Sequence, residues 1–297
     1  MNILLTGGSG FIGRNIIEQL GSKYNIIAPT HKELELTSQE QVDNFFKNNK
    51  IDAVIHGAVR PGHRNAKDDS GQLLINTKMF FNLVRHAHKL KKLVYIGSAL
   101  VYDKDNYIPR MPESYFNTHI PSDEGGMSKY IISKSIRDNH PDNMSNVVEL
   151  VCFSIFGKYE DYSVRFISNL ICKAVLDLPL TMYKDKMFSF TYINDLVKIL
   201  DFCIRDDYTT CSYNVCADKA ISLRSIADII LKVSNKQLPI IVKEEGMGAE
   251  YSGDNSLLRS HHDSFKAMDI TKAIEELYQW YSNNMHLIDK AEVTKYG

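Results

Sequence analysis

The chain has 297 residues, 44% hydrophobic and 24% charged, enough apolar content to bury a core in one large or two fused domains and too much for a disordered chain. A formal net charge of −1 excludes a chain-wide field for nucleic acid or an anionic membrane, so any anionic ligand must be met by local cations. No apolar run has membrane-spanning length, and the first strand begins at residue 2, where a signal peptide would lie, so a cytoplasmic protein is expected.

An apolar strand over Asn2–Leu5 runs into Thr6-Gly7-Gly8-Ser9-Gly10-Phe11-Ile12-Gly13, placing Gly7, Gly10 and Gly13 at G-x-x-G-x-x-G spacing. The strand must stop, reverse tightly and hand over to a helix whose first free N–H groups can face a pyrophosphate, and glycine lets the backbone come close. Phe11, Ile12, Ile16, Ile17 and Leu20 recur at helical spacing, with Gly21 as terminator. Strands at Asn25–Ala28, Ala53–His56 and Leu93–Ile96 then alternate with helices at Gln39–Phe46 and Gln72–Leu90, which specifies an α/β fold, a doubly wound parallel sheet with helices on both faces. A further helix should start near Gly126 and stop before Pro141, followed by a strand over Val147–Phe153.

After residue 157 this rhythm breaks. Helical patterns at Val164–Leu176, Asp195–Cys203 and Leu223–Val233, with short strand-like pieces between, suggest that residues 158–297 mainly form a smaller α/β lobe, the chain returning to the first domain near 190–216. Gly246–Ser260 is expected to be a mobile loop at a cleft. Cys152, Cys172, Cys203, Cys211 and Cys216 lack Cys-x-x-Cys spacing, and His86 and His88, two apart on a helix, cannot share a face. Neither a disulfide framework nor a metal site is expected.

Tyr130 is the one tyrosine followed four positions later by a lysine, Lys134; on a helix the two share a face. That helix follows a strand ending in Gly97-Ser98, and ligands of open parallel sheets gather at strand carboxyl ends. A free phenol has a pKa of about 10, and a nearby ammonium and nicotinamide cation favour the phenolate. Lys134 would supply that charge, Ser98 would donate to the substrate oxygen on which charge develops, and Tyr130 would deliver the proton.

The segments TGGSGFIG (6–13), DAVIHGA (52–58), VYIGSALVY (94–102), Tyr130-x-x-x-Lys134, FTYINDLVKIL (190–200) and YNVCADKAISLRSIADII (213–230) together resemble the extended short-chain dehydrogenase/reductase family over nearly the whole chain. The resemblance implies a Rossmann-type domain over 1–157 and a nucleotide-diphosphate sugar bound between it and the smaller lobe. It also implies a homodimer formed through the helices at Gln72–Leu90 and Met127–Asn139. It assigns cofactor contacts to Gly7, Gly10, Phe11, Ile12, Gly13, Arg14, Leu36, Ala58, Val59, Tyr130, Lys134 and Phe153, and substrate contacts to Ser98, Ala99, Leu100, Tyr130, Ser154 and Arg165. Asn76 would order water or backbone near the site, and Asp195 would cap a helix.

NAD-selecting members place a carboxylate just past the second strand; here Pro29, Thr30, His31 and Lys32 follow it. Lys32 and Arg14, with His31 as a further donor, point to NADP(H), although Glu33 or Glu35 could turn toward the ribose. Residues 31–59 resemble a branch that epimerises and then reduces a GDP-linked 4-keto-6-deoxy sugar. That branch has a cysteine two residues after the serine and a later histidine; here these positions are Leu100 and, in ungapped alignment, Arg165, neither of them a neutral-pH base. Ser154 stands for a family asparagine and Phe188 for an arginine; Lys184, Lys186, Arg165 or Arg259 could replace the latter toward the diphosphate. Ala99-Leu100 also replaces the Asp-Glu pair of the dehydratases. The expected function is a 4-ketoreductase without epimerase activity; a bifunctional enzyme, an NAD-dependent 4-epimerase and a non-catalytic NADP(H) sensor are the alternatives.

Overall fold

The computed structural model describes every residue except 63–64, 67–69, 141, 206–209, 263–264 and 297. The chain divides into two compact units, one of residues 1–106, 112–152 and 196–215, the other of 107–111, 153–195 and 216–297. Ile155–Phe156 pairs with Thr191–Tyr192 inside the second unit.

The first unit is built on strands β1 (Asn2–Thr6), β2 (Asn25–Ile27), β3 (Ala53–His56), β4 (Lys92–Ser98), β5 (Val147–Cys152) and β6 (Ser212–Val215). They form one parallel sheet in the order β6-β5-β4-β3-β1-β2. Every residue of β3, β5 and β6 is buried, as expected of strands covered on both faces. The intervening helices are α1 (Phe11–Leu20), α2 (Gln39–Asn48), α3 (Gln72–Val84) and α4 (Glu124–Asn139). Val42 of α2, Met79, Phe80 and Leu83 of α3, and Ile132 and Ile136 of α4 bury one face against Leu4, Val54, Leu93 and Tyr95 of the sheet. Each fully buried side chain of this size contributes about 1.5–3 kcal/mol.

Two helices depart from expectation. The one starting at Gln72 ends at Val84, its chain tightening into a 3₁₀ turn at Ala87–Lys89 instead of continuing to Leu90. The α4 helix stops at Asn139, and the expected stop residue, Pro141, lies outside the described residues.

In the second unit, helices Phe166–Val175, Leu223–Ser234 and Ile270–Asn283 pack on one another. A parallel ribbon of Leu180–Asp185 with Ile240–Met247 and an antiparallel pair of Met187–Phe188 with Ile221–Ser222 complete it. Gly246–Ser260 does not run as an open loop. Met247 continues the ribbon, Tyr251 and Gly253 bridge to Phe188 and Met111, the Ser252 hydroxyl accepts from the Arg110 amide at 2.7 Å, and Ser256–His261 is helical. Asp195, expected as a cap, lies inside the first turn of helix Ile193–Arg205 and accepts from the Met268 amide at 2.7 Å. No helix among the described residues is long and apolar enough to cross a membrane.

Candidate active site

Strand β1 has β2 on one side and β3 on the other, so the strand order reverses at its carboxyl end. That switch point opens a crevice between the turns leaving β1 and β3. A cavity of about 510 Å³ lies there, lined by Thr6, Gly7, Gly8, Ser9, the Pro29–His31 segment, Leu34–Thr37, Ala58–Pro61, Ile75 and Met79. Thr6 ties its walls together: its hydroxyl accepts from the Ala58 amide at 3.2 Å and shares a 2.8 Å hydrogen bond with His56 Nδ1. Burial pushes the His56 imidazole down to about 3, so it stays neutral.

The glycine turn fits a dinucleotide. Gly7 has φ +77°, and a Cβ there would lie 2.9 Å from the Gly57–Ala58 backbone; a Cβ on Gly13 would lie 2.2 Å from the Gly7 carbonyl oxygen. Side chains are excluded so that α1 can start tight against the turn. Gly10 begins that helix without a side-chain cap, and no acidic residue occupies its first turn, leaving amides for a phosphate.

Of the expected cofactor residues, Gly7, His31, Leu36, Ala58 and Val59 line the cavity. Gly10, Phe11, Ile12 and Gly13 build the turn and the start of α1, whereas the exposed Arg14 and Lys32 are not part of the wall. Of Glu33 and Glu35, which the sequence left able to turn toward the ribose, Glu35 is part of the wall, with an oxygen 3.0 Å from His31 Nε2. Burial opposes ionisation of Glu35, but hydrogen bonds from the Thr37 hydroxyl and amide, and the His31 charge, hold its carboxyl below the usual range. Thr6, Ser9, Arg60 and Pro61 were not anticipated; Arg60 and Pro61 directly follow the Ala58-Val59 signal.

Ser98 ends β4 and caps a 3₁₀ turn, Ala99–Tyr102, that packs on α4. Its hydroxyl accepts from the Leu100 amide at 3.3 Å and so keeps its own proton to donate. Ala99 is fully buried, while Leu100 is 36% exposed. On α4, Tyr130 is buried and donates its hydroxyl proton to Asn117 Oδ1. Lys134, one turn later, lies 2.9 Å from Asp138, and that carboxylate, followed by a smaller influence of Tyr130, raises the lysine above its ordinary value. Asn76 is buried in α3, where it accepts from the Arg60 amide at 2.7 Å and donates to the Ser128 hydroxyl at 3.3 Å, linking the cavity wall to α4.

Phe153, Ser154 and Arg165 belong to the second unit. Phe153 is fully buried with its ring 5.3 Å from Tyr251; Ser154 has φ +28° and its carbonyl accepts from the Thr191 amide. Arg165 is exposed at the start of helix Phe166–Val175. Lys184 pairs with Glu244 at 2.5 Å and Arg259 with Asp218 at 2.7 Å.

Residues 3–216 match the NAD dependent epimerase/dehydratase family. The chain is 25% identical to GDP-L-colitose synthase of Yersinia pseudotuberculosis, over 95% of this chain and 98% of the relative. A GDP-L-fucose synthetase structure from Naegleria fowleri matches with TM-score 0.83 at 18% identity, covering 97% of this chain and 95% of that one. GDP-mannoheptose C4 reductase from Campylobacter jejuni with NADP bound matches with TM-score 0.80 at 18% identity, covering 94% and 98%. These two structures establish likeness of fold. The match runs from the first strand to the last of the parallel sheet and takes in the glycine turn, the Ser98 turn and the Tyr130–Lys134 helix; the chain belongs to the NAD dependent epimerase/dehydratase family and is an enzyme of the extended short-chain dehydrogenase/reductase type.

Proposed function

We propose that this enzyme is an NADPH-dependent 4-ketoreductase for a nucleotide-diphosphate-linked 4-keto-6-deoxy sugar, GDP-linked and of the hexose or heptose class, and that it lacks epimerase activity. One observation carries the reading. Helix α4, which carries Tyr130, packs on the Ser98 turn, while the position two residues after Ser98 holds Leu100, a hydrocarbon that can move no proton. The relatives named for GDP-L-colitose and GDP-L-fucose synthesis support the substrate class.

The glycine turn and the wall of the switch-point cavity would hold NADPH, which would supply the hydride. The Ser98 hydroxyl, already accepting from Leu100, gives its proton as a hydrogen bond to the ketone oxygen. Tyr130 transfers its phenolic proton to that oxygen, and Lys134 places a positive charge one helical turn away to offset the phenolate left behind. A non-catalytic sensor would need none of these three groups.

His31 and Arg60 on the cavity wall support NADP(H) over NAD(H), as donors for a 2′-phosphate. Glu35 on the same wall favours NAD(H) as the second reading, because a carboxylate there accepts from a ribose hydroxyl. Leu74 and Phe81, seven apart on α3, and Ile131 on α4 are exposed apolar residues that support a homodimer contact through these helices. The five free thiols support a reducing, cytoplasmic setting.

The test is to incubate the protein with NADPH and GDP-4-keto-6-deoxymannose in deuterated water, with and without a separate epimerase. Reduction that leaves C3 and C5 of the sugar free of deuterium unless the epimerase is added supports the reading. Deuterium placed at either carbon by this protein alone overturns it.

A further inference from the structure

We propose that Asn117 stands in for the reactive oxygen of the substrate, occupying the hydroxyl of Tyr130 until a ketone displaces it; this rests on the reading of Tyr130 as the proton donor. A phenol has one O–H, and here Asn117 Oδ1 takes it. An amide carbonyl oxygen and a ketone oxygen are both sp² acceptors with the same in-plane lone-pair preference, so a position that suits one suits the other. Substrate and Asn117 therefore compete for a single proton.

The surrounding chain is built to make that competition close. Tyr130 is 6% exposed, whereas Asn117 is exposed, and its side chain makes no other hydrogen bond among the described residues. Asn117 has φ +69°, the left-handed region that asparagine tolerates better than other residues bearing a Cβ. Its neighbour Phe116 stacks on the Tyr130 ring at 5.3 Å and 25°, and the Arg137 guanidinium lies 4.4 Å from the centre of the Phe116 ring. Tyr130 and Arg137 are seven residues apart on α4, two turns along one face, so one helix grips the loop ring at two points. Tyr115, which donates to the Asn106 carbonyl at 2.7 Å, anchors the segment on the other side. The loop is thus held at Phe116, Tyr115 and Asn117 together, so that when the Asn117 side chain rotates off the phenol the loop loosens but stays in place.

Such a stand-in keeps the phenol oriented when no substrate is bound and sets a threshold that only an acceptor of matching geometry passes. A neutral hydrogen bond biases an equilibrium roughly twofold to tenfold. Asn117→Ala and Asn117→Gly, the latter free of any φ penalty, should each lower KM for GDP-4-keto-6-deoxymannose by that factor without lowering kcat. A KM unchanged or raised in both variants overturns the proposal. Hydrogen exchange gives a readout independent of turnover: Tyr130→Phe, which keeps the ring and removes the hydroxyl, should speed amide exchange over residues 113–119 in the ligand-free protein, and unchanged exchange there overturns the proposal. If Tyr130→Phe instead retains full reductase activity, the catalytic assignment itself fails, whatever the exchange shows.

Discussion

Glu35 and His31 show how a single side chain sets the cofactor question. Their pair sits on the cavity wall, with Glu35 28% exposed and His31 82% exposed, so a 2′-phosphate would meet the carboxylate as well as the imidazole. Replacing Glu35 by Gln removes one negative charge from that wall, and at about 4 Å in a watery site this amounts to about 1 kcal/mol, or roughly fivefold. The ratio of kcat/KM for NADPH over NADH should therefore rise roughly fivefold in Glu35→Gln; a ratio that stays the same or falls assigns the carboxylate elsewhere. At this scale the sequence was partly legible. Helical spacing puts Tyr130 and Lys134 on one helix, as the structure has them, and the glycines of the first turn stand where a Cβ is sterically forbidden. Lys32 and Arg14 were expected on charge alone, and charge says nothing about where a long exposed side chain points. Asn117 belongs to no periodic pattern, and its contact with Tyr130 exists only once the loop is folded over α4.

Among the elements, the helix Phe166–Val175 carries a buried acid at its threshold. Glu160 accepts from the Ser168 hydroxyl and the Gly157 amide, and burial pushes its carboxyl up to about 7. Because this is above the unfolded value of 4.5, the folded state holds the extra proton between those limits, and stability falls as pH rises from 4.5 to about 7. Glu160→Gln keeps an acceptor but cannot ionise. It should raise stability by up to about 3 kcal/mol at pH 8 and leave it nearly unchanged at pH 4.5, measured by urea unfolding. An equal effect at both pH values contradicts this. His56 has the opposite sign: its folded value of about 3 lies below 6.5, so its contribution is lost as pH falls through that range. On α3, Leu74 and Phe81 are 62% and 36% exposed. Phe81→Glu combined with Leu74→Glu should convert a dimer to a monomer in sedimentation velocity with the fold intact by circular dichroism; an unchanged sedimentation coefficient places the contact elsewhere. Helix interiors and buried strands were legible because their periods of 3.6 and their continuous apolar runs are local properties. The early end of α3 was not, since residues 85–90 keep helical composition while the chain tightens into a 3₁₀ turn.

For the whole molecule, the alternation of strands and helices up to β5 was enough to specify the parallel sheet, because burial on both faces forces continuous apolar strands. The second unit was harder to read. Its strands are mostly two residues long, and the parallel ribbon pairs Leu180–Asp185 with a largely exposed partner, Ile240–Met247, whose charged stretch hides its extended conformation. The Gly246–Ser260 segment was read from composition as loop, yet backbone bridges to Phe188 and Met111 order it. The proposed reaction joins the scales: Tyr130 on α4 would protonate a ketone reduced by a cofactor held at the switch point. The direct measurement is the single-turnover rate of NADPH oxidation with GDP-4-keto-6-deoxymannose in the native protein and in Tyr130→Phe. The account predicts a loss of about 10²- to 10⁴-fold in that rate at saturating NADPH with the fold retained; a Tyr130→Phe rate equal to the native one would contradict it.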